Sequence, residues 1–266
     1  MSANILSIAG SDPSGGAGIQ ADIKAISANG AYAMAAITGL TAQNTQGVSR
    51  VELTAPDMVA EQIAMIRADI RVDAVKIGML GSAGIVEAVA QALHRLDAPI
   101  VLDTVMVAKG GDRLLQADAV AALRDHLVPR ASIITPNLPE AADLLGEAEA
   151  NDEAGMIRQA RALLKLGAQA VLLKGGHLVG DRSRDLLLGE NGRDWLDAPR
   201  HATRNTHGTG CTLSAALAAG LGRGMAMTQA VLAAKTYVTG AIFAADMLDV
   251  GQGHGPTHHF HDIWKA

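Results

Sequence analysis

Residues 4–30 read Asn4-Ile5-Leu6-Ser7-Ile8-Ala9-Gly10-Ser11-Asp12-Pro13-Ser14-Gly15-Gly16-Ala17-Gly18-Ile19-Gln20-Ala21-Asp22-Ile23-Lys24-Ala25-Ile26-Ser27-Ala28-Asn29-Gly30. Residues 5–9 form a short apolar run that stops at Gly10, as a buried strand does. Residues 10–18 make a glycine-rich loop. Over 18–29, Ile19, Ile23 and Ile26 recur at helical spacing, and Gly30 stands where a helix ends. Strand, loop and helix in that order are the unit of a parallel sheet covered by helices.

The alternation continues. Residues 33–37, 74–79, 100–105, 132–135 and 170–173 are short runs of aliphatic residues and are predicted strands. Residues 56–69, 82–96, 117–127, 138–145 and 152–166 are predicted helices, with Pro56 in the first turn of one and Gly167 after the last. Residues 184–188 and 194–196 are expected edge strands around the turn Asn191-Gly192. Helices over 208–221 and 228–247 fill the last third. The expected fold class is α/β, a mainly parallel central sheet with helices on both faces. No linker, low-complexity tract or internal repeat interrupts residues 1–266, so one domain is expected.

Composition narrows the function. The chain is 49% hydrophobic and 18% charged, enough for a sizeable core. A net charge of -5 without a basic run argues against nucleic acid or an anionic membrane as partner. Cys211 is the only cysteine, so no disulfide forms within the chain and a cytoplasmic setting is expected. The N-terminus lacks the cationic stretch of a signal peptide, and no apolar run reaches the ~20 residues of a membrane span.

Ligands of open parallel sheets gather at the carboxyl ends of the strands, and most polar clusters here follow a strand. The loop from Gly10 to Gly18 reads either as a tight turn or as a place where backbone approaches a ligand. It matches neither G-x-G-x-x-G nor the P-loop pattern, which disfavours a dinucleotide-binding oxidoreductase. Asp22 shares the apolar stripe of Ile19 and Ile26, so it is expected to anchor a ligand; the alternative is an early-helix acid favoured by the dipole. Gln43 offers a donor and an acceptor to a heterocycle edge, or is a solvated loop amide. Met79 and Met106 suit a soft pocket wall or the core, and Asp103 suits a Mg²⁺-bound water. Asn137 and Glu140 share a helix face; they either place metal waters beside a triphosphate or form a capping box. Lys174, before two glycines, suits a phosphate contact or a solvated strand end. Residues 205–213 read Asn205-Thr206-His207-Gly208-Thr209-Gly210-Cys211-Thr212-Leu213, where a long helix begins. Its first N–H groups make a cradle for developing negative charge. Cys211 is expected there with a thiol pKa lowered by the dipole, fit to take a proton, or else as an inert core cysteine. His254, His258, His259 and His261 read as packing and solvated surface.

Seven segments in one order resemble the hydroxymethylpyrimidine/phosphomethylpyrimidine kinases of thiamine biosynthesis, within the ribokinase-like fold. They are GSDPSGGAGIQAD at 10–22, AQNT at 42–45, KIGML at 76–80, LDTVM at 102–106, TPNLPEA at 135–141, LLKGGH at 172–177 and NTHGTGCTLSAA at 205–216. The resemblance implies ATP-dependent phosphorylation of a hydroxymethylpyrimidine and then of its monophosphate. In that likeness Cys211 is the catalytic base, where other ribokinase-like kinases place Asp, and Gly208, Thr209, Gly210 and Cys211 form the anion hole. Asp22, Gln43, Gly10, Met79 and Val105 are implied to hold the pyrimidine. Lys174, Thr206, Asn137 and Glu140 are implied to hold ATP, with Asp103 and Glu140 supporting Mg²⁺ through water. A homodimer is expected from the fold. Thr104 departs from the proline of many members. The rival readings are a pyridoxal kinase of the same fold and a non-catalytic pyrimidine-binding module; the presence of Asn137, Glu140 and Cys211 argues against the second.

Overall fold

Strand β1 (Asn4–Ser11) lies between β2 (Tyr32–Asn44) and β4 (Ala74–Ile77), parallel to both. The computed structural model describes residues 2–106, 117–190 and 192–264, so the expected turn at Asn191 lies outside the described residues. The sheet extends through β5 (Ile100–Leu102), β6 (Ile133–Ile134) and β7 (Ala170–Leu173), all parallel. Antiparallel strands close both edges: β3 (Gly47–Leu53) beside β2, and β8 (Arg182–Gly189) with β9 (Gly192–Pro199) beyond β7. The nine strands therefore run in the order β3-β2-β1-β4-β5-β6-β7-β8-β9.

The pleat sorts the strand side chains into two cores. Leu6, Ile8, Val75, Ile77, Leu102, Ile134, Val171 and Leu173 face one layer of helices. That layer holds α2 (Pro56–Asp69), α3 (Ala83–Ala92), α4 (Ala117–Ala122), α5 (Leu138–Leu145) and α6 (Glu153–Leu164). Ile5, Ala74, Val101, Ile133 and Leu172 face the other, made of α1 (Gly18–Ala28), α7 (Thr209–Gly222) and α8 (Met227–Phe243). Burial on both faces explains why the central strands read as continuous apolar runs. Helix starts follow their side chains: Ser82 Oγ accepts from Ile85 N at 3.3 Å, and Asp152 Oδ1 from Gly155 N at 2.6 Å.

Two expectations change. The loop expected after residue 37 is instead the continuation of β2, paired with β3 through Asn44. Nearly every residue of β3 is exposed, so no alternation of buried and exposed residues marks it in the sequence. The helix expected over 117–127 leaves α-geometry after Ala122, passing through a π turn at Leu123–Leu127 and a 3-10 turn at Val128–Arg130. Among the described residues no helix is long and apolar enough to cross a membrane.

Candidate active site

From β1 the chain turns to β2 on one side and later returns to β4 on the other. Loops leaving β1 and β4 part at this point, which opens a cleft at the carboxyl edge of the sheet. A cavity of about 960 Å³ occupies it. Its wall includes Gly10, Gln43, Met79 and Val105 at one end, and Asp103, Asn137, Glu140 and Lys174 in the middle. Thr206, Gly208, Thr209, Gly210 and Cys211 also line it. The structure therefore brings together all the sequence-predicted site residues except Asp22.

The turn into α7 is shaped by glycine. Gly208 has φ 74°, and a Cβ there would come within 1.8 Å of Gly16 O. Thr209 N bonds to Thr206 O at 3.3 Å and Thr212 N to Gly208 O at 2.8 Å. The N–H groups of Gly210 and Cys211 belong to the first helical turn, so they have no intrahelical carbonyl to bond. They sit at the cleft wall, an anion cradle reinforced by the helix dipole.

Beside the turn, within 3.4 Å of where a Cβ on Gly210 would lie, one ammonium faces two carboxylates. Lys174 Nζ is 3.3 Å from Asp103 Oδ1 and 3.9 Å from Glu140 Oε2. Thr135 Oγ1 and Ser214 Oγ each donate to Asp103 at 3.2 Å. Burial favours the neutral acid at Asp103, but Lys174 and Lys76 outweigh it and hold the carboxyl below its usual range. At Glu140 burial prevails and the carboxyl is pushed up. Burial likewise opposes charge on Lys174, yet Asp103 and Glu140 raise its pKa. The capping box is present in full: Asn137 Oδ1 accepts from Glu140 N at 2.8 Å, and Glu140 Oε2 from Asn137 N at 2.9 Å. Cap and cleft wall coexist, because the same box turns Glu140 towards Lys174.

Two expectations from the sequence are corrected here. Asp22 is buried, as its helical phase predicts, but its partners are protein groups: Ser7 Oγ donates at 2.6 Å and Lys76 Nζ at 2.9 Å. It does not line the cavity, and its place there is taken by Lys76. The Cys211 thiol is pushed up to about 11, not lowered. Burial is the main cause, with Asp22 and Asp103 adding to it, while Lys76 and the backbone N–H of Gly18 pull the other way. Desolvation thus dominates at this thiol.

Sequence reasoning assigned no role to Asp12, Lys76, His207 or Ser214, and missed the far end of the cleft. There Pro199, Val238, Ile242 and Phe243 form an apolar wall beside His201, whose ring centroid lies 4.6 Å from that of Phe243. Apolar spacing on α8 carried this signal, yet it is indistinguishable from core packing without the fold.

A mainly parallel sheet with this strand order, and a glycine-opened helix facing a lysine at its carboxyl edge, make this a ribokinase-like small-molecule kinase. The pyridoxal kinase of Bacillus subtilis, solved as an ADP complex, resembles it with a TM-score of 0.91 and 38% identity over 98% of each chain. The sequence pattern of the phosphomethylpyrimidine kinases matches residues 12–258. The hydroxymethylpyrimidine/phosphomethylpyrimidine kinase of Rhizobium meliloti is 53% identical over 265 residues, all of both chains. Its counterpart in Escherichia coli is 54% identical over 262 residues, 98% of each. The chain belongs to the phosphomethylpyrimidine kinase family.

Proposed function

We propose that this chain phosphorylates 4-amino-5-hydroxymethyl-2-methylpyrimidine with ATP, and then phosphorylates the monophosphate to the diphosphate, as a step in thiamine biosynthesis. The observation that carries the reading is the closeness of Lys174 to the turn 208–211, a Cβ on Gly210 lying 3.4 Å from Lys174 Nζ, in the wall of a cleft with two different ends. Adenine and ribose occupy the apolar end by Pro199, Val238, Ile242 and Phe243. The pyrimidine occupies the end with Gly10, Gln43, Met79 and Val105, its CH₂OH directed at the turn. A Cβ on Gly10 would lie 2.5 Å from Met79 Cε, so a larger residue there would displace the methionine that lines this end.

In the transfer the substrate oxygen bonds to the γ-phosphorus while the bond from that phosphorus to the bridging oxygen of ADP breaks. Lys174 and the N–H groups of Gly210 and Cys211 bear the charge on the moving phosphoryl group. The hydroxyl proton passes to the Cys211 thiolate. Positions of Lys76 and Gly18 N–H favour that thiolate, so the same thiol is available in a minority form that grows with pH. Asp22 acts through Lys76 and makes no ligand contact.

Among the described residues no three His, Cys, Asp or Glu side chains gather as a metal group. Asp103 and Glu140 nevertheless supply the oxygen donors that Mg²⁺ prefers, and they fit it through water beside the triphosphate. When bound, Mg²⁺ neutralises part of the charge on the phosphates. Thr206 and Asn137 border the same stretch of cleft and hold the nucleotide.

Pyridoxal is the second acceptor to consider, because the Bacillus subtilis protein, 38% identical over 98% of each chain, is a pyridoxal kinase. Steady-state ATP consumption with hydroxymethylpyrimidine, its monophosphate and pyridoxal tests the reading. The two pyrimidines are expected to have the higher kcat/KM; preference for pyridoxal overturns it.

A further inference from the structure

Asp12 and His207 are 195 residues apart in sequence, and Asp12 Oδ2 lies 2.7 Å from His207 Nε2. Both line the cleft, and both side chains are largely shielded, with exposures of 4% and 12%. Asp12 accepts three further hydrogen bonds: Ser14 N at 2.9 Å and Ser14 Oγ at 2.7 Å on Oδ1, and Ala17 N at 2.9 Å on Oδ2. A group that only accepts is an ionised carboxylate. Burial works against that charge, but the bonds from His207 and Ser14 outweigh it and the Asp12 pKa falls. His207 Nε2 must then carry a proton.

This proton decides the neighbouring amide. Gln43 Nε2 stands 3.4 Å from His207 Nε2, so in that orientation two donors face each other. Gln43 Oε1 stands 3.2 Å from Thr41 Oγ1, whose hydroxyl also faces Ser11 O at 2.9 Å. Turning the carboxamide by 180° keeps its shape and removes the donor conflict. Oε1 then takes the longer branch, at 3.4 Å, of the His207 N–H that Asp12 Oδ2 accepts at 2.7 Å, and the NH₂ group donates to Thr41 Oγ1. The pair also clamps two loops: a Cβ on Gly16 would meet His207 Cδ2 at 2.4 Å, and one on Gly208 would meet Gly16 O.

We propose that Asp12 and His207 are positioning residues for acceptor recognition, holding a proton on His207 Nε2 and thereby fixing which way the Gln43 carboxamide faces the heterocycle. The proposal rests on the placement of the pyrimidine against Gln43. An aminopyrimidine edge sets a ring-nitrogen acceptor beside an amine donor. A carboxamide of fixed orientation pairs with that edge in one sense only, the sense that aims CH₂OH at residues 208–211. A ring bearing a carbonyl or phenolate oxygen in place of the amine offers no such donor.

Long-range ¹H–¹⁵N correlation of the histidine rings in the free wild-type protein, with His207 assigned from the His207→Gln spectrum, reads the proton directly. Nε2 is expected to be protonated; an unprotonated Nε2 overturns the proposal, whatever the variants do. In kinetics, Asp12→Asn and His207→Leu are expected to raise the pyrimidine KM about tenfold or more while the ATP KM stays within about twofold. His207→Gln, which returns a donor to Asp12, is expected to recover most of the loss. Equal rises in both KM values, or no recovery with glutamine, mark a purely structural role and overturn the proposal. Gln43→Leu separates the two layers of the claim. If it leaves the pyrimidine KM unchanged, the placement of the pyrimidine falls and the proposal with it. A Gln43 effect combined with an unprotonated Nε2 defeats the proposal alone.

Discussion

Lys76 Nζ lies 2.9 Å from Asp22 Oδ2, and neither side chain reaches solvent. The pair links β4 to α1 beneath the cleft, and Asp22 Oδ1 has no hydrogen-bond partner among the described residues. Burial opposes charge on Lys76, but Asp22, Cys211 and Asp103 together raise its pKa. Removing one member of a buried pair strands the other, at about 3–5 kcal/mol. Asp22→Ala should therefore lower the thermal midpoint by several degrees, read by calorimetry, while the pyrimidine dissociation constant changes little in protein that remains folded. A large loss of pyrimidine affinity at unchanged stability would return Asp22 to the ligand.

The Cys211 thiol, raised to about 11, ties activity to pH. Only the thiolate accepts a proton, so kcat/KM for the pyrimidine should climb through the range pH 7–9. The climb should approach tenfold per unit, well below the thiol pKa. Cys211→Ala should lose about 10²–10⁴ in kcat and flatten the profile. A flat wild-type profile would remove Cys211 as base. As Cys211 is the only cysteine, the pH dependence of its alkylation gives the thiol pKa independently.

Lys174 is the one ammonium between Asp103 and Glu140 among the contacts described above. Lys174→Met should reduce kcat by about 10²–10³, the usual loss for one group that stabilises transferred charge. Glu140, already raised by burial, should move higher without its cation. The check is a kcat measurement at saturating ATP, with the carboxyl shift followed by NMR.

His259 makes stability depend on pH. Its Nε2 is 3.1 Å from Thr212 Oγ1, and burial, with smaller effects of Lys24, His258 and His261, lowers its pKa from 6.5 to about 4. Between those values the unfolded chain binds a proton that the folded chain refuses, so stability falls as pH drops from 6.5 to 4. The loss reaches on the order of 3 kcal/mol near pH 4. Denaturant titrations over that range should show the decline, and His259→Gln should flatten it.

What the sequence revealed, and what it hid, follows the range of the forces involved. Gly10, Gly16, Gly208 and Gly210 were legible because a tight turn before a helix needs glycine locally. The stripe through Ile19, Asp22 and Ile26 correctly marked Asp22 as buried. Periodicity reports burial but not the partner, and Lys76 is 54 residues away. The Asp12–His207 contact was beyond reach for the same reason. At Cys211 the helix-end rule carried the sign of the dipole but no measure of desolvation, which the surrounding loops create. Asn137 and Glu140 offered two readings, and the local one is met in full while the cleft uses the same side chains. Strand β3 stayed hidden because almost all of it faces outwards.

The central question is what the cleft transfers and to what. The direct measurement is ³¹P NMR of the purified chain with hydroxymethylpyrimidine, excess ATP and Mg²⁺. It should show a pyrimidine monophosphate that gives way to the diphosphate, with two ADP formed per pyrimidine and no conversion by Cys211→Ala on the same timescale. A reaction that ends at one phosphate, or a Cys211→Ala protein as fast as wild type, would contradict it.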